Sequence, residues 1–221
     1  MLYKKNTSPA LSEELFKSPT SEYRGTPFWA WNDELTPEEL SRQIDVFREM
    51  GFGGFHMHVR TGLKNKYLSD EYMELIRHCV GKAKSDSMLA WLYDEDRWPS
   101  GAAGGMVTRD NESYRAKDLL FTDMLEFSGK PDIGRNDGSA RNGGGRLLAC
   151  YDIVLNEDGT LKAYNRIDKD GEVKGRKWYA FAETSQPSYW YNNGTYIDAL
   201  NPEAVKRFVE VTHERYRETV G

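Results

Sequence analysis

The sequence has no long basic run, no long apolar run and almost no cysteine. Lys and Arg number 30 against 35 Asp and Glu, a formal net charge of -5. That balance argues against a dedicated nucleic-acid-binding domain, which carries a basic face to meet phosphate. No stretch approaches the roughly 20 apolar residues of a membrane span. The opening MLYKKNTSPALSEEL has no apolar core of signal-peptide length. The expectation is a cytoplasmic protein with neither membrane nor nucleic acid as partner. Cys79 and Cys150 are the 2 cysteines, in apolar contexts and without metal-ligand spacing, which reads as buried, reduced thiols. A G-x-S-x-G elbow is absent, and Gly101, Gly104 and Gly105 lack the Lys-Ser/Thr that completes a phosphate loop.

Aromatic residues are plentiful: 6 Trp and 13 Tyr in 221 residues that are 38% hydrophobic. The chain is long enough for a real core, and the aromatic surplus suits stacking on sugar rings.

Residues 1–23, broken by Pro9 and Pro19, read as a lead-in segment with a helical patch at 11–16. Strand and helix then alternate. A short buried strand at 25–32 is followed by Thr36-Pro37, a cap and a first-turn proline, and by a helix whose apolar face is Leu40, Ile44, Phe47 and Met50, ended by Gly51. A second strand at 53–60 leads to a helix capped by Ser69, with Leu68 stapled on Met73 and Ile76, Cys79, Val80 and Ala83 continuing its apolar side. A third strand at 88–93 is nearly all apolar, as expected if both its faces are covered. This is the rhythm of a parallel α/β sheet or barrel.

From 119 to 196 the rhythm breaks into strand-like runs at 119–127, 146–155, 160–167 and 176–183, joined by turn sequences at 156–159 and 168–171. The reading is an inserted antiparallel meander, with a polar, glycine-rich mobile loop at 129–145. A helix resumes at Asn201-Pro202, with Val205, Phe208, Val209, Thr212 and Tyr216 on one face. Without the meander, too little chain remains for the about 250 residues of an eightfold barrel. The expected fold is therefore α/β: a partial (β/α) TIM-type barrel of three βα units over 24–118 and 197–221, carrying the β-subdomain 119–196.

In such folds ligands sit at the carboxyl ends of the strands. Those ends carry Trp31 and Asn32, then His58 and Arg60, then Tyr93, Asp94, Glu95, Asp96 and Trp98. Together they form a polar rim with aromatic walls, suited to a polyhydroxylated ligand. Alternation points His56 and His58 the same way, so a metal-dependent hydrolase built on that pair with Asp94 is one alternative. A non-catalytic carbohydrate-binding protein stacking sugar on Trp98, Trp190 and Tyr191 is another. Asp94 and Asp96 can share a strand face, which favours binding over a complete acid/base pair across a sugar ring.

At PFWAWN (27–32), GGFHMHVRTGL (53–63), YLSDEYMELI (67–76) and WLYDEDRWPSGAAGG (91–105) the sequence resembles large bacterial glycoside hydrolases related to the α-L-rhamnosidases of glycoside hydrolase family 106. DALNPEAVKRFVEVTHERY (198–216) looks like the helix that precedes their fourth barrel strand. The resemblance covers most of the chain apart from the meander. It implies a TIM-type barrel, a retaining or inverting carboxylate mechanism on a glycoside of plant-type polysaccharides, and two glutamates with a calcium ion nearby in the intact enzyme. It also implies that an F-T-D-E-P type acidic strand follows Gly221, so that this chain supplies the substrate-binding half. Glu95 and Asp94 are then the candidate catalytic carboxylates, and Asn32, His58, Arg60, Tyr93, Asp96 and Trp98 the candidate substrate contacts. An open half-barrel exposes strand edges, and self-association is expected.

Overall fold

A computed structural model describes residues 7–127 and 141–221. Two compact units emerge: Met1–Ala103 with Phe208–Gly221, and Gly104–Arg207. The lead-in holds one exposed helix, α1 (Glu13–Lys17), whose cap Ser12 accepts the Leu15 N–H at 3.2 Å.

The first unit is built on β1 (Phe28–Trp31), α2 (Pro37–Glu49), β2 (Gly54–Val59), α3 (Asp70–Ser85) and β3 (Leu89–Trp91). The strands form a parallel sheet in the order β1-β2-β3. Both caps read from the sequence are present. Thr36 accepts the Glu39 N–H at 3.3 Å and Ser69 the Tyr72 N–H at 3.2 Å, each satisfying an end-of-helix donor worth about 1 kcal/mol. Gly51 ends α2 at φ +84°, a left-handed backbone that glycine adopts without Cβ strain.

Alternation along β2 sorts its side chains. Phe55 and Met57, both fully buried, meet the helices together with Trp29, Trp31, Ile44, Tyr72 and Ile76. Phe47 of α2 packs edge-on to Trp29 at 5.3 Å, and Tyr72 of α3 lies 5.7 Å from Trp31. Each such burial stabilises by about 1.5–3 kcal/mol. His56 and His58 take the opposite face, as their spacing predicts.

The three expected parallel strands are present among the described residues, as an open sheet and not a closed barrel. Two expectations change here. β3 is not covered on both faces: all three of its residues are half-buried, since it is an edge strand. Met50 is 67% exposed, not part of the apolar face, because it sits at the C-cap where the chain turns away.

The second unit holds β4 (Lys117–Thr122), β5 (Arg146–Leu155), β6 (Leu161–Ile167) and β7 (Arg176–Thr184). They pair antiparallel in the order β4-β7-β5-β6, so the sheet is not a meander. β6 buries almost nothing and suits an edge, whereas β7 buries Tyr179, Phe181 and Glu183 alternately and takes an interior place. The core is Leu120, Cys150, Tyr179 and Phe181.

The loop read at 129–145 lies outside the described residues as far as 140. Its end at 141–145 is anchored, contrary to expectation. Arg141 is 8% exposed, ion-paired to Glu183, bonded to the Leu125 carbonyl, and its guanidinium carbon lies 3.6 Å from the Phe181 ring centre. Polarity there serves a buried ion pair.

The carboxyl-terminal helix is two helices, α4 (Pro202–Val211) and α5 (His213–Val220). They part at Thr212, whose hydroxyl donates back to the Phe208 carbonyl at 2.6 Å, a local bond that bends helices. Both cysteines are free and buried, as expected, and burial pushes the Cys79 thiol up to about 12. Among the described residues no helix is long and apolar enough to cross a membrane.

Candidate functional site

The site lies in the first unit, past the carboxyl end of β3. Because β3 stops at Trp91, residues 92–96 leave the sheet and strand alternation no longer governs them. Asp94 and Glu95 therefore converge on one group. The Ser100 hydroxyl lies 2.7 Å from Asp94 Oδ1 and 3.2 Å from Glu95 Oε2. A hydroxyl has one proton, and the shorter contact assigns it to Asp94.

Each carboxylate has a second partner. His213, at the start of α5, places Nε2 at 2.6 Å from Asp94 Oδ2. His58, on β2, places Nε2 at 3.4 Å from Glu95 Oε1, and His58 and Glu95 are 2% and 3% exposed. Burial pulls the His58 pKa below 6.5, aided by the charge of Arg60 and opposed by Glu95. The imidazole is thus neutral at pH 7. Its buried Nδ1 has no partner, so the tautomer with hydrogen on Nε2, donating to the carboxylate, accounts for the geometry.

Aromatic rings enclose this pair. Phe28 of β1 lies 4.2 Å from the His58 ring, and Tyr93 meets it edge-on at 4.3 Å. Burial, then the Glu95 carboxylate, raise the Tyr93 phenol. Below, the Tyr216 hydroxyl donates to the Tyr93 carbonyl at 3.2 Å and lies 3.2 Å from the Tyr72 hydroxyl. Burial pushes the Tyr216 phenol to about 12, so it remains a donor at any physiological pH. A cavity of about 580 Å³, lined by Tyr93, Asp94, His213, Tyr216 and Arg217 among others, opens beside Asp94. That volume is in the range of small-ligand sites.

The structure thus brings together four of the residues singled out in the sequence: His58, Tyr93, Asp94 and Glu95. Arg60 is exposed but close enough to act on His58 and Tyr93. Asn32 is exposed beyond β1, and Trp98 is 64% exposed. Asp96 departs from the rim. It is 6% exposed and acts on the Tyr67 and Tyr72 phenols, which burial above all pushes up. Ser100, His213 and Phe28 were missed. Ser100 lies inside the acidic motif, whereas His213 is 119 residues from Asp94, a separation that no local pattern bridges.

Among the described residues no group of three or more His, Cys, Asp and Glu is placed to hold a metal ion. His56 spends its ring on a stack with Trp91 at 4.9 Å. Among the described residues, neither the His56/His58 metal reading nor the implied calcium gains such a cluster. Trp98 belongs to one compact unit and Trp190 and Tyr191 to the other, and Tyr191 stacks on Tyr196 at 5.7 Å.

No protein-family model matches the sequence, and no curated protein matches it. A solved structure, the rhamnosidase from Novosphingobium sp. PP1Y, is similar over 68% of this chain and 17% of its own, with 15% identity and a TM-score of 0.41. The chain thus spans about 17% of that protein. A likeness at that score fixes neither fold nor function.

Proposed function

We propose that the first unit supplies the sugar-binding side of a glycoside hydrolase site, α-L-rhamnosidase-like in the sense of the motif resemblance. The observation that carries the reading is the chain His213, Asp94, Ser100, Glu95, His58, which runs from the cavity to a buried carboxylate walled by Phe28 and Tyr93. Asp94 and His213 face the cavity and meet sugar hydroxyls, one accepting and the other donating. Tyr93 offers a ring edge and a phenol that stays protonated. Glu95 has both oxygens engaged and is a positioning residue: it holds His58 and, through Ser100, fixes the Asp94 carboxylate. Arg60 supplies positive charge at the rim.

A deoxyhexose suits this site, since a methyl in place of a hydroxymethyl group packs on Leu92 and Tyr93 in the cavity lining. The test is an NMR titration of the full chain with L-rhamnose and, separately, D-glucose. Rhamnose is expected to shift the signals of Tyr93, Asp94 and His213 at lower concentration than glucose, and Asp94→Asn to weaken it about tenfold. Shifts confined to other residues, or equal response to both sugars, would overturn the assignment.

A further inference from the structure

The four-stranded sheet of the second unit turns different chemistry to its two sides. One side holds the core of Leu120, Cys150, Tyr179 and Phe181. Strand register places Phe121 of β4, Trp178 of β7, Tyr151 of β5 and Tyr164 of β6 on the other. Tyr151 is paired directly with Trp178, and Ile153, two residues on, with Tyr164. The rings touch in sequence: Phe121 stacks on Trp178 at 5.0 Å and 28°, lies 5.7 Å from Tyr151, and Tyr151 lies 6.5 Å from Tyr164. One ring per strand therefore forms a row across the whole sheet. Its ends remain open, Phe121 being 47% and Tyr164 64% exposed. Trp178 and Tyr151 between them are half-buried, and a contiguous aromatic surface with open ends marks a binding face.

The charge on this face has one sign. Alternation puts Arg166 of β6 and Arg176 of β7 among the rings, Arg166 paired with Tyr151 and Arg176 with Ile153. The strand acids Asp118, Asp152 and Glu183 point to the opposite side. There Asp152 accepts the Lys174 and Gly175 N–H groups, Glu183 holds Arg141, and Asp118 accepts from Ser185. Arg166 makes only a 3.5 Å contact with the Leu148 carbonyl.

We propose that this face binds an acidic polysaccharide, a uronate-bearing glycan. The C–H faces of its sugars pack along the ring row, and its carboxylates meet Arg166 and Arg176. A second copy of the chain is disfavoured as occupant, because a symmetric contact would set these cations against themselves. Single-stranded nucleic acid is disfavoured because Phe121 and Trp178 are stacked on each other, which makes a continuous ledge in place of separate platforms for successive bases. The proposal stands apart from the sugar site of the first unit.

The experiment is isothermal titration of the full chain with polygalacturonate, fully methyl-esterified polygalacturonate and poly(U), with light scattering over a concentration series. Polygalacturonate is expected to bind, more weakly as salt rises, and the neutral ester about tenfold less well. Tyr164→Ala and Arg166→Ala, both at exposed positions of an edge strand and so harmless to folding, are each expected to weaken binding about tenfold. No binding of polygalacturonate, wild-type affinity in both variants, or equal binding of the ester overturns the proposal. Tighter binding of poly(U), lost in the same variants, reassigns the face to nucleic acid. A dimer lost on Tyr164→Ala reassigns it to self-association. Loss of glycan binding in Asp94→Asn but not in Tyr164→Ala moves the glycan to the first unit.

Discussion

Truncating His58 to Ala should cost far more than its size suggests, because of what it leaves behind. The imidazole is 2% exposed and is the group facing Oε1 of Glu95 at 3.4 Å. Without it, a carboxylate that is 3% exposed keeps the Tyr93 phenol and a Ser100 hydroxyl that is shared with Asp94. The neutral imidazole supplies a hydrogen bond to a charged group, worth about 1.5–3 kcal/mol. The long contact lowers that share, and with the lost packing on Phe28 and Tyr93 included about 3 kcal/mol is expected. Glu95→Gln keeps shape and hydrogen-bonding capacity and removes the charge, so about 1 kcal/mol is expected. In the double variant no buried charge is stranded, and part of the His58→Ala cost returns as a coupling of about 1–2 kcal/mol. Urea unfolding at pH 7.5 followed by tryptophan fluorescence measures all three, since Trp29 and Trp31 lie in the same unit. Additivity within about 0.5 kcal/mol, or a His58→Ala cost no larger than that of Glu95→Gln, would show that the two groups do not act as a pair and would remove the basis for calling Glu95 a positioning residue.

Acid should weaken the first unit through the same histidine. Its folded pKa is below the ordinary 6.5, so between those two values the unfolded chain holds a proton that the folded chain refuses. Stability is then complete above pH 6.5 and falls as pH drops towards the folded value; His58→Gln should flatten that part of the stability curve. Gly54→Ala is expected to cost about 3 kcal/mol, since its Cβ would stand 2.1 Å from the Leu89 carbonyl oxygen where β2 pairs with β3. Gly81→Ala, in α3 with nothing within 4 Å of the new Cβ, should stabilise by about 0.8 kcal/mol; denaturation midpoints of the two variants moving in the same direction would contradict this. Cys79, buried and with its thiol pushed to about 12, should react with a disulfide reagent only as fast as the protein unfolds, and prompt labelling in native buffer would refute that.

Local signals were the legible ones. The caps Thr36 and Ser69, the stop at Gly51 and the placing of His56 and His58 on one face follow from neighbours within four residues, and each is present. Tertiary competition decided what was not legible. Nothing local to β7 says that it will insert between β4 and β5; that follows only from comparing its buried alternation with the uniformly exposed β6. Thr212 reads as one more position on an apolar helical face, and it lies there, fully buried, while its hydroxyl splits the helix. In the site, Asp94 and Asp96 looked like a same-face pair. The sheet ends before them, and the chain sends Asp94 to Ser100 and Asp96 to the tyrosines.

That divergence bears on what the cavity can do chemically. Glycoside hydrolysis uses two carboxyl groups on either side of the scissile bond. Asp94 and Glu95 both reach the same Ser100 hydroxyl, so their nearest oxygens are within about 6 Å of each other with that hydroxyl between them, and no sugar ring fits there. Of the side chains lining the cavity, Asp94 is the lone carboxylate, and the lining also offers His213, Tyr216 and Arg217. Such groups can donate to sugar hydroxyls and stabilise negative charge; none is a second carboxylate. The chain of 221 residues should therefore bind a deoxyhexose without hydrolysing aryl α-L-rhamnosides at an enzymatic rate. Turnover that falls by about 100-fold or more in Asp94→Asn would show that the catalytic pair is complete within this chain, with His213 or Tyr216 as the partner of Asp94.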